Sequence, residues 1–188
     1  MSLNPIFLFS LIALLVVTTH GDLRCHRIRN IWTLGGASLA LLLHLTSGGI
    51  DGLMISLFGL LTGLGLFLPF YLFGGMAAGD VKLMAAVGAL LGPELALSAI
   101  AFTLIVGGIM GMGYLFIRGE LGRWLNRWNS VLANFWITRS ISAGYLPPEA
   151  DEVAGQRFPY ALAIATGSLI AVVLLGGHAP NYMQGTWP

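Results

Sequence analysis

Asp22, in the run His20-Gly21-Asp22-Leu23-Arg24, and Asp80, in Ala77-Ala78-Gly79-Asp80-Val81-Lys82, each stand at one end of a long apolar stretch in a chain that carries little charge. Holding a carboxylate at a membrane boundary costs free energy, so two of them in matching places point to shared chemistry. Two carboxylates within hydrogen-bonding reach cannot both ionise readily, and they share a proton. One takes a proton from water while the other, protonated, polarises a peptide carbonyl. That is the chemistry of aspartic proteolysis, and its physical requirement is proximity in space. Gly21 and Gly79, each one residue ahead of an aspartate, would let another backbone approach the carboxylates. The competing reading is that both aspartates cap helix starts, Asp22 ahead of Leu23 and Asp80 ahead of Val81. Spacing alone leaves the two readings level.

The elements that must position these residues follow from composition. Of the 188 residues 56% are hydrophobic and 9% charged, against roughly a quarter charged in soluble domains. The chain is therefore read as an integral membrane protein, in which every backbone polar group within lipid must be satisfied by helices or a closed barrel. Long apolar runs without two-residue alternation select helices, giving an all-α, polytopic fold with about six spans. The apolar segments lie near Pro5 to Thr19, Ile31 to Leu45, Leu53 to Phe73, Val81 to Leu91, Leu95 to Ile117 and Tyr160 to Leu175. The fourth is short for a full crossing, so it begins before Asp80 or spans part of the bilayer, and Gly92-Pro93 closes it. No second domain or internal repeat is evident, so residues 1–188 read as a single membrane-embedded domain.

Orientation follows from the cations. Arg24, Arg27 and Arg29 follow the first segment, Lys82 follows the third, and Arg118, Arg123, Arg127, Arg139 and Arg157 lie between the fifth and sixth. Thr46 to Asp51, Gly92 to Glu94 and both ends of the chain contain no Lys or Arg. All the basic residues fall on one side, which the positive-inside rule makes cytoplasmic, with Asp22 and Asp80 beside them and both termini on the far side. A cleaved signal peptide is the alternative for the first segment, but it lacks a basic n-region and Thr18-Thr19-His20-Gly21 is a poor cleavage site.

Residues 118–158 read as a cytoplasmic loop. Within it Leu121, Trp124, Leu125, Trp128, Leu132 and Phe135 recur at three- and four-residue steps, which predicts an amphipathic helix in the headgroup plane, with substrate docking the sharper alternative. Gly59 with Gly63, Ala85 with Ala89, Gly88 with Gly92 and Gly107 with Gly111 repeat at four-residue spacing and allow close helix approach in lipid. The net charge of +1 says nothing of nucleic acid, and no nucleic-acid partner is expected. His20, His26 and His44 lack metal-ligand spacing, no cofactor signal is present, and the lone Cys25 forms neither an internal disulfide nor a cysteine-cluster zinc module.

These residues carry a family resemblance. Asp22-Leu23-Arg24-Cys25-His26-Arg27-Ile28-Arg29-Asn30 resembles the stretch after the first span of type IV prepilin peptidases, and Gly75-Met76-Ala77-Ala78-Gly79-Asp80-Val81-Lys82-Leu83, with Gly88 and Gly92, resembles their GxGD motif and its helix. Arg157-Phe158-Pro159-Tyr160-Ala161-Leu162 is similar to the proline-aromatic entry to their last span. The chain departs from the pattern at Ala77, where the first motif glycine is usual, at Arg29 in place of proline, and at Ala161 in place of glycine. A methyl at Ala77 is expected to stiffen or crowd the approach to Asp80.

The resemblance implies a membrane aspartic endopeptidase in which Asp22 and Asp80 are the catalytic pair. The implied substrate is a prepilin or pseudopilin with a basic leader in the cytoplasm, a glycine and an apolar stem in the membrane. The longer family members add an N-terminal module with paired cysteines that methylates the product. With Asp22 directly after the first span and only Cys25 present, the likeness is to the short, peptidase-only members that serve tight-adherence (Flp) pili. Arg24 and Lys82 are candidates for tuning the dyad or contacting substrate, with positive-inside anchoring the plainer reading. Two rivals remain: an assembly factor of a pilus or secretion machine that keeps the scaffold without activity, and a small ion-coupled transporter, whose carboxylates should lie nearer the bilayer midplane.

Overall fold

The computed structural model describes residues 4–25, 29–72, 75–117, 119 and 160–176. They form four helices, α1 (Pro5–Cys25), α2 (Asn30–Leu72), α3 (Ala78–Ile117) and α4 (Tyr160–Leu175), with no strand among the described residues. Three stretches, Pro5–Arg24, Asn30–Leu72 and Ala78–Tyr114, are long and apolar enough to cross a membrane, and the shorter α4 is also apolar. The expected amphipathic helix within 118–158 lies outside the described residues. The chain divides into two compact units, residues 1–107 with 159–188, and residues 108–158. Of the second, the described part is the end of α3 and Gly119, where Ile109, Met112, Phe116 and Ile117 are exposed. The remaining description concerns the first unit.

Neither α2 nor α3 is a straight rod. As one rod, the 43 residues of α2 would extend about 65 Å, twice the roughly 30 Å hydrocarbon thickness. The helical backbone is instead interrupted at Gly49 (φ 61°, ψ −140°) and, in α3, at Gly92 (φ 71°, ψ 172°). Both values fall in or beside a region that side chains with a Cβ rarely enter. The breaks lie where the sequence expects connections, within Thr46–Asp51 and at Gly92-Pro93.

Side-chain bonds show that α2 doubles back. His44 Nε2 donates to the carbonyl of Leu90 at 3.3 Å, and Ser56 Oγ donates to the carbonyl of Ala89 at 2.9 Å. Residues 44 and 56 would sit roughly 18 Å apart along a straight helix, yet both reach one turn of α3. The reason for these bonds lies in the break itself. Ala89 C=O would accept from the N–H of residue 93, which is proline and has none, and Leu90 C=O loses its regular partner where the helix stops at Gly92. In lipid such carbonyls need another donor, and buried His44 and Ser56 supply it.

The first part of α3 is the centre of this unit. From Asp80 to Gly92 every residue but Lys82 is buried, as expected of a segment that is apolar on all sides. Small residues let α2 lie directly on it. A Cβ added at Gly59 would collide with the backbone of Gly88 and Gly92, and one at Gly63 with the backbone of Met84 and Ala85. Of the four-residue small pairs, Gly59/Gly63 against Gly88 is therefore a true backbone contact. The outward faces carry exposed Ile6, Phe9, Val16, Leu34, Leu42, Phe58 and Val173, an apolar exterior suited to lipid.

Candidate active site

α1 ends, α3 begins and α4 begins in one neighbourhood, and each brings a group to it. Asp22 lies in the last turn of α1 and is 8% exposed; Asp80 lies in the first turn of α3 and is 6% exposed. Carboxylates this buried need partners. Asp22 Oδ2 accepts from the backbone N–H of Ala161 at 3.3 Å, and Asp80 Oδ2 accepts from the backbone N–H of Ala77 at 3.2 Å. The two carboxylates are also within electrostatic reach of each other.

Both carboxylates cap helix starts in the structure, though neither does so at the position that spacing alone suggests. Ala77 is the residue before the helix, and its carbonyl accepts from Asp80 N–H at 3.0 Å while its own N–H is bound by the Asp80 side chain. Asp80 therefore sits at the third helical position and reaches back, one half of a capping box. Asp22 does not start a helix, because α1 runs on to Cys25. It caps α4 from outside, accepting from one of the N–H groups that a first helical turn leaves without an intrahelical partner. In each case the capping bond is made by Oδ2.

Gly21 and Gly79 are each half-buried inside helices, one residue before their aspartates. Ala77 is exposed, and its N–H is held by the Asp80 side chain. Arg24 is exposed at the end of α1, and Lys82 is exposed with its ammonium donating to Asn30 Oδ1 at 3.1 Å.

Three further residues complete the neighbourhood and are absent from the candidates named by sequence. Tyr160, the first residue of α4, lies within electrostatic reach of Asp80. Its ring stands edge-on to the fully buried Phe67 of α2, with centroids 6.4 Å apart. Its phenolic end fills the space where Gly107 of α3 would carry a Cβ. A four-residue glycine pattern marked Gly107 for helix packing, but its neighbour is an aromatic ring, and Gly111 has nothing within contact of its Cβ position. Residues 80 and 107 would be about 40 Å apart in an unbroken helix, so the Gly92 break is what brings both to Tyr160. Among the described residues no group of three or more His, Cys, Asp or Glu side chains could hold a metal ion.

Residues 8–112, more than half of the chain, match the type IV leader peptidase family. The chain belongs to that family. No curated protein and no solved structure matches it. The stretch matched to the leader peptidases contains both aspartates, the Gly92 break and Gly107, and it stops short of Tyr160. Membership supports a prepilin-type leader peptidase function, and with it prepilin-type substrates.

Proposed function

We propose that this protein is a membrane aspartic endopeptidase that removes the leader peptide of prepilins or pseudopilins at the cytoplasmic boundary of a bacterial inner membrane, with Asp22 and Asp80 as its catalytic pair. The observation that carries the reading is that two buried carboxylates stand at the ends of different helices within electrostatic reach of one another. In the proposed reaction one aspartate, ionised, takes a proton from water as its oxygen attacks the scissile carbonyl carbon. The other, protonated, donates to the carbonyl oxygen. The tetrahedral intermediate then collapses with cleavage of the C–N bond, and the leaving nitrogen takes up a proton.

The surroundings suit a substrate that is half polar and half apolar. The basic residues beside the aspartates mark the cytoplasmic side, from which a polar leader can arrive through water. The apolar exterior admits an apolar stem from lipid. Six crossings are the arrangement we favour, since the breaks at Gly49 and Gly92 divide α2 and α3 into pieces that antiparallel crossings would use. Arg24 is exposed two residues after Asp22, where it can meet substrate, and Lys82 is engaged by Asn30. We infer leader cleavage, as in the short members of tight-adherence pilus systems, as the activity of these 188 residues, which include one cysteine. Co-expression with candidate prepilins tests the proposal. Wild type should shorten the prepilin, Asp22→Asn and Asp80→Asn should leave it uncut while still inserting, and an uncut panel with the wild-type enzyme would favour a non-catalytic assembly role.

A further inference from the structure

We propose that Tyr160 is a positioning residue for the aspartate pair, a wedge that fixes the first turn of α4 so that this one turn engages both carboxylates. The inference rests on the dyad reading above. Its argument is geometric. Two consecutive residues lie near the two aspartates: Ala161 binds Asp22 through its N–H, and Tyr160 lies within electrostatic reach of Asp80. The pair can be held together from α4 only if that turn is itself fixed.

Tyr160 is fixed by its two flanks. Phe67, fully buried, presents its ring to the tyrosine ring, and Gly107 offers a bare backbone surface on which the phenolic end rests. These contacts come from α2 and from the part of α3 beyond the Gly92 break, so α4 is held by segments other than the two helix ends that carry the aspartates. Any larger residue at 107 would push the ring away, because a Cβ there would lie 2.5 Å from the phenolic oxygen and 2.7 Å from the ring carbons Cε2 and Cζ. Displacing the ring turns or lifts the Ala161 N–H, and Asp22 then loses the bond that orients it. Tyr160 acts through these positions and is not assigned a step in the reaction.

The test reads the aspartates' separation apart from cleavage. In one series, L23C/A78C with C25S, exposed positions beside the aspartates that leave both carboxylates in place and report the separation of their helix ends, is cross-linked in membranes by a short bis-thiosulfonate reagent, with Tyr160 unchanged, Y160F, Y160A or G107A. In a second, the same Tyr160 and Gly107 variants with both aspartates intact are assayed on a prepilin. Y160F, which keeps the ring, should cross-link and cleave within about threefold of wild type. Y160A and G107A should each slow cross-linking and lower kcat at least about tenfold, with KM little changed, since misplacing reacting groups by an ångström costs on that order or more. Should Y160A not accumulate, G107A carries the test, because alanine is the better helix residue. Unchanged cross-linking in both Y160A and G107A overturns the wedge, even if cleavage falls. Slowed cross-linking in a protein that cuts no prepilin would leave the wedge standing and sink the peptidase reading instead.

Discussion

Gly63→Ala adds one methyl group where α2 lies on α3, and its consequence can be worked out by comparison with Gly65→Ala two residues away. A Cβ at position 63 would meet the carbonyl of Met84 and the Cα of Ala85, backbone atoms that cannot rotate aside, whereas a Cβ at position 65 has nothing within 4 Å. Alanine in place of glycine within a helix stabilises by roughly 0.5–1 kcal/mol when nothing else changes. Gly65→Ala should therefore be neutral to slightly stabilising. At position 63 the same gain is opposed by an overpacking cost of typically 1–3 kcal/mol, so a net loss of about 1–2 kcal/mol is expected. α3 must move relative to α2 to accept the methyl, and α3 begins with Asp80, four residues before Met84. A displacement near an ångström at the carboxylate should slow leader cleavage by about 10–100-fold. Thermal unfolding in detergent should put Gly63→Ala a few degrees below Gly65→Ala, at about 2–4 °C per kcal/mol, with cleavage measured on the same preparations. Equal melting temperatures and equal rates in the two variants would refute the direct backbone packing of α2 on α3.

Three other perturbations test separate parts of the account. Ser56→Ala removes the donor to Ala89 C=O and should cost about 1–2 kcal/mol in unfolding free energy. His44→Leu, which strips Leu90 C=O of its donor, should cost at least as much, and a nearly additive double variant would show that the two bonds serve separate carbonyls. Gly49→Ala and Gly92→Ala place a Cβ at positive φ, each at a cost of about 1–3 kcal/mol; the buried Gly92 should be the worse of the two by melting temperature. Lys82→Gln should change cleavage by less than about threefold, as expected of an exposed substitution, since Lys82 donates to Asn30; a large loss would bring it back as a substrate contact.

Much of the helical layout was legible because lipid leaves few alternatives. Apolar length gave the helices, and glycine with proline or polar residues gave the interruptions, so Gly92-Pro93 and the Thr46–Asp51 connection could be read directly. Asp22 and Asp80 stood out because charge is rare in this chain. Their capping roles were only half legible. Asp80 reaches back to Ala77 within one turn, which spacing can suggest, but Asp22 caps α4, 139 residues away along the chain, and no local pattern records that. Phe67 was illegible as a site residue, because an apolar side chain inside a span looks like any other, and Tyr160 was legible only as part of the proline-aromatic motif, with no role attached to it. The glycine rule pointed to Gly107 for the wrong partner: small residues invite close approach, and sequence does not say whether a helix or a ring takes the space.

The most direct measurement is the rate of prepilin cleavage by purified, membrane-reconstituted wild type, Asp22→Asn, Asp80→Asn and the double variant. If the two carboxylates act as one unit, each single substitution lowers the rate by at least about 100-fold, and the double variant is no slower than the worse single one. A single variant that still cuts at close to the wild-type rate, or losses that multiply in the double variant, would contradict a shared reaction at Asp22 and Asp80.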